Sequence, residues 1–324
     1  MKTIFLISFI LSSSVLLAQD LEAVGISPWG ADDEIGTLNL MTAESRIEIL
    51  SRINSGTIYD LSVDYFVGMP SFHVLGDPGY QYWLTHTPHG TVLDNPNGLG
   101  SDMNQKVSYT GDAISMYTHM GTHIDALNHF GLNGKIWNGF TPEKYLGDKG
   151  WKKTGSEVIP PIVSRGVLID IKKVKGQLPA NYRITSQDLK EALRDQHVKL
   201  ASGDVVLIRT GQAQHYNEAN HYLDNYPGIS LEAVKWLVEE QQVMLLGADN
   251  LSLEAFPPER ADNWVPVHTY LLAEKGVMFI EQMDLESLSD DEVYEFAFIA
   301  ASLKLTGASG SPMRPIAIPV VPTK

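Results

Sequence analysis

Three of the chain's ten histidines and one aspartate fall inside a short stretch: His119-Met120-Gly121-Thr122-His123-Ile124-Asp125-Ala126-Leu127-Asn128-His129-Phe130. Imidazole nitrogens and a carboxylate are ligands for a divalent cation, and a spare imidazole carries protons near neutral pH. Ligand atoms that share one ion must come within roughly 4 Å of each other. A helix does not achieve this, because at about 100° per residue Asp125 lands about 240° from His119 and His129 about 280°. A strand fails as well, since His119 and Asp125 would stand about 20 Å apart at about 3.3 Å per residue. The backbone must therefore bend, and Gly121, free to take positive φ, stands where the bend is needed. Together the four side chains read as a metal-binding turn, with a helix expected to start near Asp125.

A second group lies in residues 266–281. Its pattern predicts a short helix ended by Gly276 and then a strand. Seven or eight helical residues rise about 11 Å and four or five strand residues return about 15 Å, so His268 and Glu281 could meet at one level. His86-Thr87-Pro88-His89 is a smaller histidine pair that could line a substrate entrance.

The elements that must carry these groups alternate in type. Residues 57–63, 166–171, 204–209 and 243–247 read as strands, being short β-branched or apolar runs near turn signals. Thr185-Ser186-Gln187-Asp188 opens a helix in capping-box style, and a second begins at Ser230 with Leu231, Val234, Leu237 and Val238 on one face. Further strands are expected after Tyr294. The alternation means α/β: a single domain over residues 25–324, with a mixed β-sheet and packed helices.

Composition narrows the chemistry. The 324 residues carry 24 basic and 39 acidic side chains, a net charge of −15, which argues against a nucleic-acid partner. With no cysteine, thiolate zinc sites, iron–sulfur clusters, disulfides and Cys nucleophiles are excluded, so any metal must be held by His, carboxylate and neutral oxygen. Ser62, Ser252 and Ser311 lack a Gly-x-Ser-x-Gly setting, and neither GxGxxG nor GxxxxGK[ST] follows a strand. At the N-terminus, Lys2 precedes an apolar run over residues 4–17 and then Ala18-Gln19. This reads as a signal peptide over residues 1–18, so the mature protein is expected to be soluble, periplasmic or secreted, and free of the membrane.

His119-x-Gly121-Thr122-His123-x-Asp125 followed by His129-Phe130 resembles the signature of the cyclase and bacterial kynurenine formamidase-like family, which includes isatin hydrolase. Tyr59-Asp60-Leu61-Ser62, Pro227-Gly228-Ile229, Gly247-Ala248-Asp249 and Gly310-Ser311-Pro312 also match, and the entry around Trp29-Gly30-Ala31-Asp32 is similar to that of longer members. The resemblance implies a swivelling β/β/α fold. It implies that His119, His123 and Asp125 hold a first divalent metal, and that Asp125, His268 and Glu281 complete a second set. His129 would be the general acid/base. Phe72 and Trp83 lie where the family places substrate-facing aromatics, with His86 beside them. The resemblance also implies one or two ions of zinc or manganese per subunit, and a homo-oligomer, dimer or tetramer.

A divalent ion held by imidazoles and a carboxylate, with an open position, lowers the pKa of coordinated water and polarises a carbonyl. An imidazole beside it can take the water's proton and return it to a leaving nitrogen, which is typically worth about 10²–10⁴ in rate. The expected activity is hydrolysis of a C–N bond in a formamide, lactam or other amide of a small, aromatic carbonyl substrate. Two alternatives keep the same residues: a polyketide-type cyclase or dehydratase, and a non-catalytic protein that binds metal or a small ligand. An exported enzyme would not meet the intracellular products of tryptophan breakdown, so N-formylkynurenine is not the favoured natural substrate.

Overall fold

Residues 167–169 and 205–207 are fully buried, as continuous Val, Leu and Ile runs require when both faces of a sheet are covered. The computed structural model describes residues 23–73 and 75–321, and the signal segment expected at residues 1–18 lies outside them. In chain order the strands are β1 (Tyr59–Asp60), β2 (Gln81–His86), β3 (Gly111–Ser115), β4 (His123–Asp125), β5 (Leu146–Gly147), β6 (Gly150–Trp151), β7 (Ile162–Asp170) and β8 (Arg183–Ile184). They continue with β9 (Val205–Arg209), β10 (Gly228–Ile229), β11 (Leu245–Ala248), β12 (Phe279–Glu281), β13 (Glu295–Ala300), β14 (Gly310–Pro312) and β15 (Ile316–Pro319).

Nine of these form one sheet in the order β1-β15-β13-β7-β9-β11-β12-β4-β14. The central β7, β9, β11 and β12 are parallel, whereas β4, β14, β13, β15 and β1 join antiparallel. The expected mixed α/β sheet is therefore observed. The helix Ser186–Asp195 starts with the expected capping box, in which Thr185 and Asp188 satisfy each other's backbone N–H groups. Its Leu189, Ala192 and Leu193 join Val234 and Leu237 of the following helix in the main core. Two expectations change in detail. Of residues 57–63 only Tyr59–Asp60 form a strand, paired with β15; Ser62 makes an isolated bridge with Met283, and Val63 N–H goes to the Thr122 hydroxyl (3.0 Å). The helical segments at 231–240 and 266–275 both finish in wider i→i+5 turns, the second closed by Gly276 at φ +64.

Register then does the positioning. Glu281 of β12 lies opposite His123 of β4, and Gly310 of β14 lies opposite Asp125. Directly opposed residues share a sheet face, and so do residues two apart on a strand. His123, Asp125 and Glu281 are therefore delivered together to one face, with a glycine beside them. No helix of the described residues is long and apolar enough to cross a membrane.

Candidate metal centre

The bend at Gly121 is real, with φ +58, and a Cβ there would lie 2.5 Å from the Tyr65 ring. The Tyr65 hydroxyl lies 3.0 Å from the Met120 carbonyl and 2.9 Å from that of Thr122. Thr122 donates its hydroxyl to the Gln282 carbonyl (2.7 Å), which ties the turn to the end of β12. The helix expected from Asp125 onward does not form. Residues 123–125 are captured as a strand between β12 and β14, and Ala126 N–H goes to Ser309 O (2.9 Å) instead of into a helical turn. The chain then turns tightly, with His129 N–H on Ala126 O (3.0 Å), and brings His129 back over the site.

All five expected ligands and His129 converge. His119 Nδ1 is 2.6 Å from Asp125 Oδ1, and its Nε2 is 2.9 Å from the Ser309 hydroxyl. His123 donates Nδ1–H to the Gly121 carbonyl (2.8 Å), so its Nε2 faces inward, 3.4 Å from Asp125 Oδ1 and 3.4 Å from Glu281 Oε2. The other Glu281 oxygen is 3.4 Å from His268 Nε2. His129 Nε2 is 3.6 Å from Asp125 Oδ2, and its ring stacks on His119 at 3.8 Å. Two trios have ligand atoms within 4.8 Å of one another: His119, Asp125 and His129, and Asp125, His268 and Glu281. Geometry thus groups His129 with the first trio, while His123 reaches across to both carboxylates.

The electrostatics of these groups suits a divalent cation. His123 Nε2, Asp125 Oδ2 and Glu281 Oε1 are buried without any hydrogen-bond partner, and such atoms are costly unless something of opposite charge sits among them. Nitrogen and oxygen ligands about 2.1 Å from one ion lie roughly 3–3.5 Å apart, and His123 Nε2 stands 3.4 Å from Asp125 Oδ1 and from Glu281 Oε2, as His268 Nε2 does from Glu281 Oε1. Burial by itself would lower the pKa of His123, but the adjacent carboxylates of Asp125 and Glu281 prevail and push it up to about 10. His268 is likewise pushed up to about 10 against burial, by Glu254 and Glu281. Protons there stand where a divalent ion would stand. Asp125 is held well below the usual carboxylate range by His129 and His119 despite its burial. Burial and the imidazoles of His119, His268 and His123 drive His129 well below its ordinary value, Asp125 opposing them, so it is neutral at pH 7.

A cavity of about 190 Å³ opens above these groups. Its floor is His119, His129, His268 and Glu281, and its walls include Phe72, Tyr117, Phe130, Leu251, Phe256 and Trp264. Phe72, expected among the substrate-facing aromatics, lines this cavity. Within one chain Trp83 and His86 stand on the separate two-stranded sheet of β2 and β3, both exposed, and do not line this cavity. Sequence reasoning missed Glu254, Ser309 and the wall residues Tyr117, Leu251, Phe256 and Trp264. Asp249 is not at the centre: it accepts Thr210 N–H, Thr210 hydroxyl and Gly211 N–H (2.9, 2.7 and 2.7 Å), capping the loop after β9.

The profile of the Cyclase family ("Putative cyclase") matches residues 59–255, more than half of the chain. The chain belongs to the Cyclase family. The match includes His119, His123, Asp125, His129 and Glu254, while His268 and Glu281 come after it. A crystal structure described as a novel cyclase superposes with a TM-score of 0.80 at 31% identity, covering 92% of this chain and 100% of that one. The chain is also 24% identical to kynurenine formamidase of Bacillus cereus over 207 residues, 64% of this chain and 79% of the relative. Isatin hydrolase A of Ralstonia solanacearum shares the fold, with a TM-score of 0.62 at 22% identity over 81% of this chain and 91% of that one.

Proposed function

We propose that this Cyclase family member is a divalent-metal-dependent hydrolase that opens a C–N bond in a formamide, lactam or other amide of a small aromatic carbonyl compound. One observation carries the reading: Asp125, His268 and Glu281 offer ligand atoms within 4.8 Å of one another, with His123 Nε2 3.4 Å from both carboxylates, beside an aromatic-walled cavity. Kinship with a kynurenine formamidase and the fold of an isatin hydrolase support the reaction class.

His119, His123, Asp125, His268 and Glu281 would hold zinc or manganese, as one ion or two. Such an ion supplies Lewis acidity to the carbonyl and to the attacking water. The chain does the rest. His129, kept neutral by burial and by neighbouring imidazoles, accepts the water's proton at Nε2 and returns it to the departing nitrogen. Phe130 packs edge-on against Trp264 (5.5 Å) and against His268 (5.1 Å), which fixes the wall against which a flat ring can lie. Tyr117 is a neutral hydrogen-bond donor on the same wall, its phenol pushed far up by burial and by the acidic groups nearby.

The test is elemental analysis of the purified protein, paired with hydrolysis assays on isatin, simple formanilides and N-formylkynurenine under zinc and under manganese. Turnover that disappears on metal stripping and returns on reloading is expected. A metal-loaded protein inert to every amide would defeat the hydrolase reading and leave a binding protein.

A further inference from the structure

We propose that Glu254 is a positioning residue for the metal centre, acting through His268. The role rests on the metal-centre reading above and adds a residue to it. Glu254 is 2% exposed and stands in the loop after β11. Its Oε1 accepts two hydrogen bonds from the same residue: the ring Nδ1–H of His268 at 2.6 Å and the backbone N–H of His268 at 3.1 Å. One carboxylate oxygen therefore fixes both where the helix 266–275 begins and how its first functional ring is turned.

The chemical consequence concerns the tautomer. A neutral imidazole carries its proton on one nitrogen, and only the bare nitrogen can ligate. With Nδ1–H committed to Glu254, Nε2 is the nitrogen reserved for a metal, and it faces Glu281 Oε1 at 3.4 Å, an oxygen that has no hydrogen-bond partner. Without Glu254 the ring is free to carry its proton on Nε2 and donate it to Glu281, which would take two ligand atoms out of service together. The negative charge behind the ring also raises the basicity of Nε2, as carboxylates behind metal-bound histidines do. The same loop reaches the cavity, which Leu251, Ser252 and Phe256 line, and the Ser252 hydroxyl bonds the Glu254 carbonyl (3.1 Å). The wall that meets substrate and the brace that turns His268 are one segment.

The experiment titrates metal-stripped full-length protein with zinc and with manganese by calorimetry, for wild type, Glu254→Gln and Glu254→Ala. Glu254→Gln keeps an acceptor for both N–H groups but removes the charge, and is expected to weaken binding about tenfold. Glu254→Ala removes both, and about a hundredfold loss is expected. The stripped Glu254→Gln protein should keep the wild-type fold by circular dichroism, which separates positioning from misfolding. Wild-type affinity in both variants overturns the role. Should Glu254→Ala not fold, ring ¹⁵N NMR of zinc-loaded wild type decides: Nδ1–H at His268 supports the role, Nε2–H overturns it. A wild type that takes no metal defeats the whole centre, whereas a metal-binding wild type with indifferent variants defeats Glu254 alone.

Discussion

Gly310→Ala probes the centre without replacing any ligand. Gly310 lies opposite Asp125 on the ligand face of the sheet, and the His119 ring occupies the space its missing side chain leaves. A Cβ there would stand 2.4 Å from His119 Cε1 and 2.8 Å from both ring nitrogens. Ordinary contact needs about 3.5 Å or more, so the ring must retreat by about 1 Å. It cannot retreat freely, because His129 is already stacked on it at 3.8 Å. Overpacking of this kind costs about 1–3 kcal/mol of stability. A supporting-residue change typically lowers metal affinity about 10- to 100-fold, and a misplacement of about 1 Å can cost 10² in turnover. The assay is calorimetric metal titration of the stripped protein, with urea unfolding of Gly310→Ala, His119→Ala and the double variant. Removing the His119 ring should relieve the clash, so the two changes should be strongly non-additive in stability. Wild-type metal affinity in Gly310→Ala, or simple additivity in the cycle, would refute this account of the glycine.

His129→Ala should retain its metal and lose turnover at least about a hundredfold, measured by metal content and initial rates; loss of the metal would instead move His129 into the ligand set with His119 and Asp125. The stripped protein should also show a distinctive pH profile. His123 and His268 have folded pKa values raised from 6.5 to about 10, so the stability they contribute is complete below 6.5 and disappears as pH rises through 10. Thermal melts of stripped protein should therefore fall between pH 7 and pH 10, and a flat profile would contradict the proton-for-cation exchange.

The metal turn was legible because its logic is local. Four candidate groups within a dozen residues can be tested against helix and strand geometry, and both fail unless the chain bends at Gly121. The segment from His268 to Glu281 was legible for the same reason: rise per residue and a Gly276 stop bring its two ends level. The expected helix after Asp125 failed because the competing hydrogen bonds are remote. Ala126 N–H is claimed by Ser309, and residues 123–125 by β12 and β14, none of which a local pattern can foresee.

The residue types and short-range spacing by themselves determined the donor set, the need for a bend, the cysteine-free choice of ligands and the alternating α/β elements. Tertiary structure alone decided that Glu281 stands opposite His123, that Gly310 makes room for His119, and that Glu254 turns His268. It also decided that Phe72 lines the cavity, while Trp83 and His86 stand on a separate two-stranded sheet. The division has a physical cause: bond geometry fixes what neighbours along the chain can do together, whereas strand register and loop packing are set by the burial of the whole core.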